Sequence, residues 1–262
     1  MKKIWLGSSW KMNKTATEVA EFNQQIQNAL SEVPQSLQTF LIPPFPYVQS
    51  VAESVTQHGT RVGVQNICWA EAGAFTGEIS ASMAKDIGAS IVEIGHSERR
   101  AMFNETDHSV NKKVLASLNL GLTPLICVGD TFDEKQWDVS RESIVRQVKI
   151  ALFDVSIDQI ENVIIAYEPV WAIGENGIPA SAIEAEEGLS AIKHALVTKY
   201  GAELANKIVL LYGGSVHPDN AQELIQQPSI DGLFVGRSAW EASGFAKLIS
   251  LVKPYCESKE EQ

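Results

Sequence analysis

The stretch NVIIAYEPVWAIGENGIPASAIEAEEGLSAIKHALVTKYGAELANKIVLLYGGSV, residues 162–216, carries one full structural period of the chain. It opens on a continuous apolar run, Val163–Tyr167, and ends that run on a carboxylate, Glu168. A segment stiffened by Pro169 and broken by Gly174, Gly177 and Pro179 follows. Helical spacing then runs over Ile183–Tyr200, and a second apolar run, Ile208–Tyr212, leads into Gly213 and Gly214. Unbroken Val/Ile/Leu runs suit parallel strands covered on both faces, whereas half-exposed strands alternate. Strand, helix and strand in this order make a βαβ unit.

The same period repeats along the chain. Six more strand-like runs lie at Ile4–Ser9, Phe40–Pro43, Val62–Gln65, Ile91–Gly95, Leu125–Val128 and Gly232–Val235. Helical spacing occupies Thr17–Leu30, Asp107–Leu118 and Arg141–Phe153. Eight such units favour a closed (β/α)8 barrel, an α/β fold with a parallel core, over an open doubly wound sheet. No Gly-x-Gly-x-x-Gly follows the first run, which counts against a dinucleotide-binding sheet. With no linker or low-complexity stretch, residues 1–262 read as one domain, and the charged tail Glu257–Gln262 as a frayed end.

Composition narrows the partners. The chain is 45% hydrophobic and 20% charged, with a net charge of −11 and no long basic run, which argues against nucleic acid and anionic membranes. No apolar run approaches the ~20 residues that span a bilayer. The start, MKKIWLG, meets glycine and serine too early for a signal-peptide core. Cys68, Cys127 and Cys256 are widely separated and show no metal spacing, so they read as reduced thiols in a cytoplasmic protein. Cys127, inside an apolar run, reads as a core thiol.

In barrels of this kind chemistry sits on the loops after the carboxyl ends of the strands. Lys11 follows the first run, His96 the fourth and Glu168 the sixth, while YGGSV (212–216) and VGRS (235–238) follow the last two. A lone lysine or histidine at a strand end is usually only solvated, and a Gly-Gly pair is common in tight turns. The set is more informative: a base, an imidazole, a cation and two glycine-bearing loops. Glycine lets backbone N–H groups approach an anion without interference from Cβ, and the loops after strands seven and eight commonly hold phosphate.

The motifs SWKMN (9–13), GAFTGEIS (73–80), EIGHSERR (93–100), AYEPVWAIG (166–174) and LYGGSV (211–216) closely resemble the triosephosphate isomerase family over essentially the whole chain. The resemblance implies a TIM barrel without cofactor acting on a phosphorylated three- or four-carbon sugar. It implies Glu168 as the base, His96 as the electrophile and Lys11 as the cation beside the enediolate; a carboxylate base paired with a neutral imidazole is that family's known chemistry. It implies phosphate contacts from Gly174, Ser215, Gly236 and Arg237, and Glu98 as a buried carboxylate beside the site, which also reads as a salt bridge to a basic neighbour. The segment after Glu168 resembles the family's mobile lid, with hinges at Pro169–Trp171 and Gly177–Pro179 and a tip at Ala172–Gly174. The loop 65–80 resembles one that inserts into a second subunit, which implies a homodimer with Thr76 reaching towards the partner.

Three departures stand out. Ser9 replaces the family's asparagine, Gly174-Glu175-Asn176-Gly177 replaces the lid's usual Gly-Thr-Gly, and Arg237 replaces the second glycine of the last phosphate loop. SSWKMN, GENGIPAS and GRSAW resemble the relatives that act as L-erythrulose-1-phosphate isomerases in erythritol catabolism. L-Erythrulose 1-phosphate is dihydroxyacetone phosphate with a CH2OH on the carbon that loses its proton, and serine at position 9 leaves more room than asparagine. An ordinary triosephosphate isomerase with neutral changes is the alternative. A Schiff-base aldolase would need a lysine inside an apolar strand, and none is clear; a non-catalytic phosphate-binding module would not need both Glu168 and His96.

Overall fold

A computed structural model describes residues 3–174 and 177–258. Eight parallel strands close into one barrel in chain order: β1 (Ile4–Ser9), β2 (Leu37–Ile42), β3 (Arg61–Val64), β4 (Ile91–Ile94), β5 (Thr123–Val128), β6 (Ile164–Tyr167), β7 (Val209–Tyr212) and β8 (Gly232–Val235). β8 closes on β1 with Trp5 beside Gly232 and Ser8 beside Val235. The expected (β/α)8 TIM barrel is the observed fold.

Strand residues alternate between two cores, as the two-residue period requires. One set fills the lumen: Phe40, Ile91, Leu125, Ile164, Leu211 and Phe234 are among its members. The rings of Phe40 and Phe234 stack at 5.7 Å. Gly7 makes room for this plug, since a Cβ there would lie 2.1 Å from the Phe40 ring. The other set, including Ile4, Leu6, Val92, Ile126, Ile165 and Leu210, faces the surrounding helices.

Helix starts are written locally. Thr15, Thr106, Thr131 and Ser181 each cap a helix, with the third helical residue bonding back in a reciprocal box. The helix after the lid covers Ala182–Lys207, longer than its expected Ile183–Tyr200, with a break at Gly201 (φ 80°, ψ 161°) that only glycine adopts without strain. The other helices expected from spacing lie at Ala16–Ser31, Asp107–Asn119 and Ser140–Ala151. Residues 259–262 of the expected frayed tail lie outside the described residues, as do Glu175 and Asn176 of the lid.

Candidate active site

The barrel brings the expected residues of β1, β4, β6, β7 and β8 to one cavity of about 450 Å3. Ser9, Lys11, His96, Glu98 and Glu168 line it together with Gly174, Ser215, Gly236 and Arg237. Thr76 does not line it; it lies exposed on the loop after β3. A larger cleft, about 900 Å3, runs behind the lid past Asp130, Trp171 and the helix Ala182–Lys207. It contains neither Lys11, His96 nor Glu168, so the smaller cavity is the one with chemistry.

Glu168 follows β6 directly, and its N–H donates to Val128 O at 2.8 Å, so the ladder fixes its backbone. Its side chain is 4% exposed, and among the described residues its buried Oε2 has no hydrogen-bond partner. Burial, then the neighbouring Glu93 carboxylate, hold its carboxyl well above the usual carboxylate range, while Lys11 opposes them. Such a carboxyl binds a proton more tightly than an exposed one, so its ionised form is the stronger base. The Cys127 thiol, buried as expected, is also pushed up by burial and by the Glu168 charge.

His96 Nε2 lies 3.4 Å from Glu168 Oε2. His96 caps the helix Ser97–Met102, and its Nδ1 accepts from the N–H of Glu98 at 3.1 Å. That bond assigns the ring proton to Nε2, facing the cavity. Burial and then the Lys11 charge push the imidazole down to about 4, so it is neutral at pH 7.

Lys11 takes a left-handed backbone, φ 53°, uncommon for a side chain of this size. Gln65 Nε2 donates to its carbonyl at 2.8 Å and holds it there. Its Nζ meets Glu98 Oε1 at 2.5 Å, the salt bridge to a basic neighbour, while the Glu98 side chain is 40% exposed at the cavity edge and so is not the buried carboxylate expected.

Two residues that sequence reasoning passed over support this set. Asp130 is 1% exposed, and its carboxylate accepts from Tyr167 Oη (2.9 Å), Trp171 Nε1 (3.0 Å) and Ser140 Oγ (2.7 Å), anchoring the first lid hinge. Lys135 Nζ covers the Trp171 ring at 3.5 Å. Ile178 N donates to Trp171 O at 3.1 Å, tying the second hinge to the first. Glu93, on β4, is 3% exposed and accepts from Ser9 Oγ at 2.8 Å. Its place two residues after lumen-facing Ile91 is the signal that could have found it.

A family model described as triosephosphate isomerase matches residues 4–252. The chain is 46% identical to the L-erythrulose-1-phosphate isomerase of Mesorhizobium japonicum, over 94% of this chain and 95% of that protein. It is 45% identical to proteins of the same name from Brucella abortus, over 95% of this chain and 96% of that protein, and from Rhizobium etli, over 95% and 92%. From its first strand to its closing helix, the chain belongs to the triosephosphate isomerase family.

Proposed function

We propose that the protein interconverts L-erythrulose 1-phosphate and D-erythrulose 4-phosphate through an enediolate. The observation that carries the chemistry is the approach of a buried Glu168 Oε2 to a neutral His96 Nε2 at 3.4 Å, over a cavity rimmed by glycine loops. The substrate reading is supported by relatives at about 45% identity that carry the erythrulose phosphate name.

Phosphate is held by backbone amides at Gly174, Ser215, Gly236 and Arg237. Arg237 is exposed, which agrees with its amide rather than its guanidinium serving the ligand. Glu168 removes the proton from C3 of L-erythrulose 1-phosphate. The Nε2–H of His96 donates to the carbonyl oxygen at C2, passes its proton there and recovers one from the hydroxyl at C3. Glu168 then returns its proton to C2, leaving the ketone at C3. Lys11 stabilises the enediolate charge. Ala172, Ile173 and Gly174 form the lid tip over the cavity, where excluding water strengthens these interactions and guards the enediolate against loss of phosphate.

The working unit is a homodimer in the cytoplasm. The loop 65–80 exposes Trp69 by 46% and Phe75 by 40%, and Met12 beside the site is 94% exposed, a pair of apolar surfaces suited to a second copy, with Thr76 reaching towards the partner's Lys11 region. Among the described residues no helix is long and apolar enough to cross a membrane. A fully active monomer in sedimentation would contradict the dimer.

The test is to incubate the purified protein with L-erythrulose 1-phosphate and identify the product by NMR. D-Erythrulose 4-phosphate should form, and Glu168→Gln should slow it by ~10²–10⁴. No product from the unmodified protein would refute the proposal.

A further inference from the structure

The phosphate contact proposed for the Arg237 N–H requires that amide to be free, yet β8 pairs with β1 and the ladder has a use for it. In a parallel pair a residue donates its N–H to the position before its partner and accepts at its carbonyl from the position after it. Trp5 follows the rule: it pairs with Gly232, and its N–H donates to Asp231 O at 2.9 Å. The register climbs to Ser8 beside Val235. The next rung would therefore set the Arg237 N–H on the Ser9 carbonyl.

That rung is replaced. Gly236 (φ −90°, ψ −117°) turns the chain out of β8. A single turn over Arg237–Ala239, closed by Ala239 N on Gly236 O and Trp240 N on Arg237 O, carries Trp240 back over the end of β1. There the Ser9 carbonyl accepts from Trp240 Nε1 at 3.1 Å. Ser9 is 4% exposed, so its carbonyl needs a donor from the protein, and an indole N–H can only donate. Among the described residues the Arg237 N–H makes no hydrogen bond. Ser9, Gly236, Arg237 and Trp240 all line the active-site cavity. We propose that Trp240 is a positioning residue of the phosphate site: its indole N–H takes the ladder's place at Ser9 and thereby releases the Arg237 amide to the phosphate.

This rests on the reading that phosphate sits at the loops after β7 and β8, and it holds whether the sugar has three carbons or four. Trp240 acts through Arg237. An N–H aimed at an anion makes a charge-assisted bond, stronger than the neutral ladder bond it forgoes. Without the indole N–H, the Ser9 carbonyl regains a donor by drawing the Arg237 amide back into the sheet, and the phosphate loses one of its contacts.

The experiment follows the Arg237 amide by NMR in 15N-labelled protein, with inorganic phosphate as the probe. In the unmodified protein the amide should exchange readily with water and shift as phosphate is added. In Trp240→Phe, which keeps a ring but lacks the N–H, its exchange should slow, its response to phosphate should be lost, and the Kd for phosphate should rise roughly tenfold. Trp240→Leu serves if the phenylalanine variant fails to fold. A variant whose Arg237 amide still exchanges readily and still answers phosphate shows that the indole only packs; that overturns the inference and leaves the phosphate contact standing. An Arg237 amide protected from exchange in the unmodified protein before phosphate is added also overturns it, because the ladder then holds the amide. An amide that exchanges readily but ignores phosphate, while the protein still binds phosphate, overturns the Arg237 contact and this inference with it.

Discussion

Replacing Gly213 by alanine should misplace the catalytic carboxylate. Gly213 follows β7 on the side facing Glu168, and a Cβ built there would lie 2.8 Å from both Cγ and Oε1 of Glu168. Ordinary carbon contacts sit at ~3.5–4.0 Å, so about 0.7 Å or more must be recovered by movement. The backbone on either side is held, by the Glu168 N–H on Val128 O and the Gly213 N–H on Tyr167 O, both at 2.8 Å. The side chain of Glu168 must therefore yield. A displacement of about 1 Å in a reacting group can cost ~10²-fold in rate. Overpacking of this size also costs ~1–3 kcal/mol of stability, which leaves a folded enzyme to assay. The assay is kcat and KM for Gly213→Ala, alone and in a Glu168→Ala background. Loss should fall mainly on kcat and should largely vanish when the carboxylate is already gone. An alanine variant with near wild-type kcat, or an equal loss in both backgrounds, would show that Glu168 is not held against Gly213 in the working enzyme.

Three further outcomes are expected. Glu93→Gln should stabilise the protein at high pH only. The folded-state carboxyl is raised from 4.5 to about 7, so the native state holds the proton more tightly and wild-type stability falls as pH rises through that window. The difference is worth ~3 kcal/mol, or roughly 5–10 °C in Tm, present at pH 9 and absent at pH 4; melting curves with a pH-independent gap would refute it. Asp130→Ala should leave Trp171 Nε1 and Tyr167 Oη without their acceptor, costing ~2 kcal/mol or more and raising the share of turnovers that end in phosphate loss through a looser lid; unchanged partitioning would contradict the anchoring role. Arg237→Gly should leave KM close to wild type, since the amide remains; a many-fold rise would make the guanidinium a direct phosphate ligand.

The barrel was legible because strands buried on both faces need apolar residues at every position, which leaves continuous runs. Bounds failed where polar residues serve the ladder. β2 begins at Leu37 rather than Phe40, since Gln38 bonds Gly59 O and Thr39 bonds Thr60, contacts invisible in a list of apolar residues. β5 begins at Thr123 rather than Leu125 because Pro124 fits the sheet beside Val92. Of the site, Glu168, His96 and Lys11 could be found from their places after strands. Glu93 could not be found that way, because it lies within a strand and its meaning comes from Ser9 on another strand, 84 residues away. Asp130 looks like an ordinary turn residue until Tyr167 and Trp171 are seen to converge on it.

The central claim is that this active site works on a four-carbon sugar phosphate. The direct measurement is kcat/KM of the unmodified enzyme for L-erythrulose 1-phosphate and for dihydroxyacetone phosphate under the same conditions. Room for one added carbon changes binding by only ~1–3 kcal/mol, so the expected preference for the tetrulose is roughly 10–200-fold, and Ser9→Asn should narrow it. A ratio favouring the triose phosphate would contradict the account and make this chain a triosephosphate isomerase in activity as well as in family.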